Sequence, residues 1–457
     1  MGEKKDKKKK VKFLVTLSIS LTFFLLTVLL VIWSILLSDK TRSTHIRSEA
    51  TSGEIIKKNY IKGLEKLDSN NEEFTFRLRE DEINDLLYDG VKSLDDKYID
   101  NIYYERGGDN SHIFYVDLNK TIIKTRVVIS TSLVTPTDTL NPSNIYLHIN
   151  NVTIGKVPAS KYLIKKGYLT SNYLNKYFEA TSLPISYDED NFNFVISPYK
   201  YIDYFPKEEL SSLLWDNLLS RSEVVTINPT SLGFNVDFSK LRTNESIEVT
   251  NSSNELPNFY NDVKSSFEAV DFGSMSIGDK VTAYSLKEDD FNNLVSKSLP
   301  TYKEEITSNL LSSKAIIELV GSKTCFNSTD KIDVALIYSI NGYFFDVHTY
   351  VELIDNSSNY VDFSLEFKYD VTLGSETLSG LNNKYVSYFV STLREIFKNI
   401  QEKQGNFFTF SETQDTLTTS LEDMNNTFSS TLRDAEKEVE INVENKTIDF
   451  NVTKSTF

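Results

Sequence analysis

The sequence predicts an α+β protein, an N-terminal transmembrane helix followed by two similar units, each an amphipathic helix packed on a curved antiparallel sheet. Three observations predict it. Residues 13–37 carry no charge and are rich in Leu, Val, Ile and Phe; as a helix they span about 37 Å, enough to cross a bilayer with some tilt. The stretch Phe76-Arg77-Leu78-Arg79-Glu80-Asp81-Glu82-Ile83-Asn84-Asp85-Leu86-Leu87 returns as Tyr284-Ser285-Leu286-Lys287-Glu288-Asp289-Asp290-Phe291-Asn292-Asn293-Leu294-Val295. Between and after these copies, apolar residues alternate with polar ones over runs typical of half-buried strands.

The echo at 76–87 and 284–295 reads as a strand running into a helix. Its acids fall in the first turn, where unpaired N–H groups carry partial positive charge. A second echo sets Asn150-Asn151-Val152-Thr153-Ile154-Gly155 against Tyr369-Asp370-Val371-Thr372-Leu373-Gly374. A third sets Asn191–Ile196 against Thr447–Val452. Together they indicate an internal duplication.

In order, residues 1–12 form a basic tail with seven lysines against Glu3 and Asp6. The positive-inside rule then puts the N-terminus in the cytoplasm and the bulk of the chain outside it, with residues 13–37 in the bilayer. A cleaved signal peptide is the rival reading of that run. Residues 38–72 are expected to form a helical stalk. The first α+β unit covers 73–242, with strands at 112–118, 122–134, 145–154, 192–196 and 232–238 and helices at 158–178 and 206–219. The Asn-, Ser- and Thr-rich stretch that follows places a linker at 243–273.

The second unit covers 274–457. Alternating residues on either side of Asn341-Gly342 mark a hairpin, a strand is expected over 361–373, and a helix over 381–401. An insertion at 405–440 is expected to be helical: Ser411-Glu412-Thr413-Gln414 matches a capping box, and Leu417, Leu421, Met424, Phe428, Leu432, Ala435 and Val439 follow at steps of four and three. That helix, 411–439, lies along the unit's own sheet or docks a protein partner.

Charge narrows the functions. The net −16 divides into +5 on residues 1–12 and −21 on the rest, and an acidic body repels phosphate backbones, so no nucleic acid is expected as a partner. Cys325 is the only cysteine, which excludes an intrachain disulfide and a cysteine-based metal site. His45, His112, His148 and His348 lie apart in the sequence, and no metal site, cofactor or catalytic residue is expected. Ser197-Pro198-Tyr199-Lys200 matches S-x-x-K but follows a strand and has no S-D-N or K-T-G companion. The acid triplets at 80–82, 188–190 and 288–290 lack the glycine and the twelfth-position glutamate of a calcium loop. Asn119, Asn151 and Asn327 stand in N-x-[ST] triplets, which matter only in a host that glycosylates exported proteins.

With the anchor, the strand-helix opening, and Asn144-Ile145-Tyr146-Leu147-His148-Ile149 leading into Val152-Thr153-Ile154-Gly155-Lys156-Val157-Pro158, residues 10–205 resemble the YpmS-like family of membrane-anchored Gram-positive proteins. Arg79 replaces the threonine usual before the acidic helix start. More distantly, the order of elements, given twice, resembles the tubular lipid-binding (TULIP-like) superfamily. That resemblance implies an apolar groove between each helix and its sheet, with Ile83, Leu86, Leu87, Phe291, Leu294 and Val295 as lipid-groove candidates; the same residues are the best core candidates. The function expected is therefore lipid or amphiphile binding outside the cytoplasm, with lipid transfer as an extension, and no chemistry. A scaffolding ectodomain is the alternative.

Overall fold

The computed structural model describes residues 2–36, 48–68, 70–94, 99–108, 110–118, 125–135, 140–159, 175, 178, 184–204, 210–220, 227–230, 233–242, 247, 255–355, 363–405, 407–419 and 435–455. The fold is α+β with curled antiparallel sheets. Helix α1 (Gly2–Leu36) contains Val15–Trp33, long and apolar enough to cross a membrane and exposed along its whole length. Helix α2 (Ser52–Leu64) comes next, then strand β1 (Glu73–Arg77) and helix α3 (Glu80–Leu94).

Two compact units follow from the packing. The first comprises residues 1–59, 76–204 and 227–234, and the second 60–75, 205–226 and 235–457. The first unit's sheet is built from β2 (Ile99–Arg106), β3 (Ser111–Leu118), β4 (Thr125–Val134), β5 (Ile145–Ile154), β6 (Val157–Pro158), β7 (Ile185–Asp188) and β8 (Asn193–Ile196). Its order is β2-β3-β4-β5-β8-β7, with β6 hydrogen-bonded to β5. Helix α4 (Leu210–Ser220) and strands β9 (Ile227–Thr230) and β10 (Gly233–Asp237) follow in the chain, and a small sheet has the order β1-β10-β9.

In the second unit, α5 (Phe259–Ala269), β11 (Lys280–Lys287) and α6 (Glu288–Lys297) precede the strands β12 (Lys303–Ile306), β13 (Ala315–Phe326), β14 (Lys331–Ile340), β15 (Tyr343–Asp355), β16 (Phe363–Leu373) and β17 (Glu376–Ser379). Helix α7 (Lys384–Gln404), β18 (Phe408–Ser411), β19 (Thr416–Thr419), β20 (Ala435–Asn442) and β21 (Thr447–Lys454) complete it. The large sheet runs β12-β13-β14-β15-β16-β19-β18, with β17 on β16, and a small one runs β11-β21-β20. Setting β12 aside, the large sheet repeats the order of the first unit's sheet, and β11-β21-β20 repeats β1-β10-β9.

The acids that open α3 and α6 have a common use. Glu80 accepts a hydrogen bond from Arg106 N at 3.3 Å, and Asn84, one helical turn later, accepts from Tyr104 N at 2.7 Å and donates to Tyr104 O at 3.0 Å. In the other copy, Glu288 accepts from Phe326 N at 2.7 Å and Asn292 from Thr324 N at 3.1 Å. Four helical residues advance about 6 Å and two strand residues about 6.6 Å, so side chains at i and i+4 meet alternate N–H groups of a strand. Each helix is thereby stitched to backbone that would otherwise present open donors.

The second echo also holds in three dimensions. Ile154 pairs with Val157 across Gly155-Lys156, and Leu373 pairs with Glu376 across Gly374-Ser375. Both turns need a left-handed first residue, and the glycines supply it at φ 60° and 58°. The third echo is corrected: Asn193–Ile196 is in the first unit's large sheet, whereas Thr447–Lys454 pairs with β11 in the small one. The topological counterpart of β21 is β10, where Phe234-Asn235-Val236 matches Phe450-Asn451-Val452.

Three further expectations change. The expected stalk is helical at α2, but Ile55, Ile56, Tyr60, Ile61 and Leu64 line one buried face of that helix and Leu67 just beyond it is buried too, so this described part packs as core. The linker at 243–273 contains α5, capped by Asn258 and burying Phe259, Val263 and Phe267 at i, i+4 and i+8. The helix at 411–439 is overturned over its described parts, since 408–411, 416–419 and 435–442 are strands. Steps of four satisfy a period of two as well as one of 3.6, and Glu436, Glu438 and Glu440 alternate with inward-facing Lys437, Val439 and Ile441. Residues 420–434 of that expectation, and most of the helix expected at 158–178, lie outside the described residues.

Helix α7 matches the helix expected at 381–401; Asn383 caps it and it buries Tyr385, Phe389, Leu393, Ile396 and Ile400. Arg394 donates from Nε and Nη2 to both oxygens of Asp415, at 2.6 and 2.7 Å, and Tyr369 Oη adds a third bond at 2.6 Å. These bonds hold Asp415 in a left-handed turn at φ 53° between β18 and β19.

Asn84→Ala and Asn292→Ala are expected to lower stability by roughly 1–2 kcal/mol each in chemical denaturation, since each strands a strand N–H. Gly374→Ala is expected to cost more than either, because it opposes a positive φ and its Cβ would lie 1.9 Å from Lys240 O. A loss no larger than that of Asn84→Ala would contradict this.

Candidate functional site

In the first unit α3 packs on the sheet face carrying Tyr104. Ile83 and Leu87 form a core cluster with Tyr104, against which Leu78, Ile102 and Phe114 are only partly buried. Cross-strand pairing explains why these residues share a face. Tyr104 pairs with Phe114, Phe114 with Ile129, and Ile129 with Val152. One step along, Ile102 pairs with Val116, Val116 with Val127, and Val127 with Ile154.

The two rows are covered differently. Tyr104, Ile129 and Val152 are buried, whereas Ile102, Val116 and Val127 are half-buried and Ile154 is 38% exposed. Val157, paired with Ile154, extends the second row at 41% exposure. At about 4.8 Å between strands, this apolar row crosses five strands over roughly 19 Å. The matching row of the second unit, Ser322-Leu336-Val347 with Leu373 beside it, is closed as far as Leu373, no member there exceeding 2% exposure, and ends on half-buried Glu376, the match of Val157.

Most polar groups near the row are committed to one another. His112 is fully buried, with Nδ1 2.8 Å from Tyr104 Oη. Burial first, and then the charge of Arg106, holds its pKa below the ordinary histidine value, so the ring is neutral; burial also pushes the Tyr104 phenol up to about 12. Glu82 is bound by Lys58 Nζ, by Asn59 Nδ2 at 3.1 Å and by Arg79 N at 2.8 Å. Burial alone would raise its pKa, but the Arg79 backbone N–H and Lys58, with the charges of both residues, hold it below the usual value. On the opposite sheet face, Arg126 makes two bonds to Asp117 at 2.6 and 3.0 Å. Glu82 with Lys58 and Arg126 with Asp117 are buried structural ion pairs, while His112 Nε2 is buried with no hydrogen-bond partner among the described residues.

The S-x-x-K match carries no nucleophile: Ser197 is buried and its hydroxyl bonds Asn144 Oδ1 at 3.0 Å, while Lys200 is exposed. Among the described residues, no three His, Cys, Asp or Glu side chains are placed to hold a metal ion.

The groove candidates fall into two sets. Ile83, Leu86 and Leu87 belong to α3 of the first unit at 5–8% exposure. Phe291, Leu294 and Val295 belong to α6 of the second at 0%. An apolar hollow in the second unit, lined by Tyr60, Phe74, Trp215, Phe238 and Ile340, has a volume of about 20 Å³, on the scale of a single water and far below an acyl chain. The open row was not among the candidates. Alternation in 122–134 and 145–154 implies two-faced strands but not which stretch of a face is covered, and β2, which supplies Ile102, has no clear alternation. No protein-family profile matches the chain, and no characterised protein does.

Because folded His112 resists the proton that an unfolded histidine takes up, its contribution to stability is present above the unfolded pKa of about 6.5 and is lost as pH falls below it. His112→Gln, which keeps an acceptor for Tyr104, is expected to lose less stability than the native chain between about pH 7.5 and 5.5, measured by urea denaturation at each pH.

Proposed function

We propose that the protein is a membrane-anchored, extracytoplasmic binder of lipid or another apolar amphiphile, that it does no chemistry, and that the ligand lies on the first unit's sheet. The observation that carries this reading is the row Ile102-Val116-Val127-Ile154-Val157, half-covered where the matching row in the second unit is closed as far as Leu373. Helix α1 supplies the anchor, and the seven lysines before it favour a cytoplasmic N-terminus. The matching strand orders, the shared Gly155 and Gly374 hairpins and the two Glu/Asn helix stitches support a tandem of duplicated units. That arrangement agrees with the resemblance to the tubular lipid-binding superfamily.

Energetically the proposal asks little of the protein. Removing an acyl chain from water is worth about 0.8 kcal/mol per CH₂, and the bilayer already provides that. A carrier needs only to match the membrane's apolarity for transfer to be near neutral. Two roles for the two units follow, an open one that receives the ligand and a filled one that gives rigidity. The filled core of the second unit also favours a second reading, a scaffold without cargo.

Native mass spectrometry of residues 42–457, purified without detergent, is expected to show a lipid adduct that solvent extraction removes. Val127→Asp places a charge in the row and is expected to lower lipid uptake at least tenfold, since an unpaired buried charge costs several kcal/mol. A clean apo mass with no uptake of offered lipids would favour the scaffold.

A further inference from the structure

The row on the first unit's sheet is not uniform from end to end. Ile102 packs against the cluster of Ile83, Leu87 and Tyr104 and is half-buried, as are Val116 and Val127, whereas Ile154 and Val157 reach 38% and 41% exposure. Exposure thus rises in one direction, away from α3 and toward the hairpin that joins β5 to β6. Along one flank the row is bounded by buried Tyr104, Ile129 and Val152. The strip is about 19 Å long, against about 15 Å for half of a bilayer's hydrocarbon core. It has room for one membrane acyl chain lying extended, with a covered end and an open end.

Charge distinguishes the open end as well. Residues 139–178 hold five lysines and no Asp or Glu, the longest stretch without an acid in a chain that has 65 of them. Strands β5 and β6, which form the open end, both fall inside it. Lys156 stands in the turn between Ile154 and Val157, is exposed and makes no ion pair among the described residues. Asp117 of β3 lies on the opposite sheet face, its charge matched by Arg126. The body as a whole is acidic and repels an anion, but along this stretch the sign is reversed, and the local potential favours an anion at the open end of the row.

We infer that the ligand is an anionic amphiphile with a single acyl chain, its terminal methyl beside Ile102 and its headgroup at the 154–157 hairpin beside Lys156. The inference rests on the lipid reading of the row and adds to it a charge, a chain number and a direction. The direction follows from solvation, since a charged head keeps its water only at the exposed end, while the tail loses water along the whole row. Lysine suits the place: a compact ammonium on a flexible stem can follow a headgroup that is itself mobile in water.

The test uses the full chain in phosphatidylcholine nanodiscs, offered hexadecyl phosphate or hexadecanol, each with a diazirine near its terminal methyl. After photolysis, peptide mass spectrometry locates the label, and label on α1, the proposed anchor, normalises for the amphiphile's concentration in the bilayer. On that scale the phosphate is expected to label the peptides carrying Ile102 and Val116 about fivefold more than the alcohol does. Lys156→Glu, at an exposed turn position, is expected to lower the phosphate's labelling about fivefold and to leave the alcohol's within about twofold, the scale of exposed charge pairs. Equal labelling by phosphate and alcohol, or a phosphate signal unchanged in Lys156→Glu, would overturn the anionic headgroup while leaving the lipid reading in place. Phosphate label concentrated on 154–158 would overturn the direction. No label on the row from either amphiphile would overturn the lipid reading itself, and this inference with it.

Discussion

The fold depends on a match of two lengths. A helix advances about 6 Å in four residues and a strand about 6.6 Å in two, so a carboxylate and an amide one helical turn apart can satisfy alternate N–H groups of a strand beside them. Glu80 with Asn84, and Glu288 with Asn292, do this at Arg106 and Tyr104 and at Phe326 and Thr324. The carboxylates also sit at helix starts, where the backbone favours negative charge. One pair of side chains therefore starts the helix, sets its position along the sheet and occupies backbone donors that could recruit another strand. With the helix fixed, Ile83 and Leu87 in one copy and Phe291, Leu294 and Val295 in the other are held against the sheet.

From a shared plan the two units diverge in how far the matched row is covered. In the second, α7 brings a row of large residues onto the sheet, and Tyr338, Phe345 and Phe367 are each no more than 1% exposed. In the first, the row through Val116 and Val127, matched in the second unit by residues of similar size, remains half-covered. A filled interior resists deformation, since protein cores pack as densely as organic crystals; a partly covered sheet face leaves apolar area open to solvent.

Much of this was legible in the sequence where local chemistry speaks directly. The strand-helix openings, the Asn341-Gly342 hairpin, β5 and α7 follow from period, turn residues and caps. The stretch 411–439 did not, because steps of four residues belong to both periods and only the glutamates between them mark the strand. The small sheets were missed because each joins residues far apart, Lys280–Lys287 with Thr447–Lys454 in one case. That also explains the misplaced third echo, since Asn191–Ile196 resembles β21 in composition whereas β10 resembles it in pairing. For the candidate site, the helix residues chosen were buried by their own sheets, and the open row depended on the cover of a face, a property no single strand's pattern records.

The pairing of β11 with β21 also bears on how the chain is made. At roughly 5–20 residues per second, the stretch from β11 to β21 takes about 10–30 s to synthesise. Throughout that interval β11 has no partner from its eventual sheet. Its own features suit the wait: Lys280 and Lys287 stand at its ends, and a bulge between Thr282 and Tyr284 breaks the regular ladder. Charged ends and a bulge discourage a strand edge from pairing with a neighbouring nascent chain. The same irregularity that twists the finished sheet thus guards the unfinished one against the wrong partner until the right strand is made.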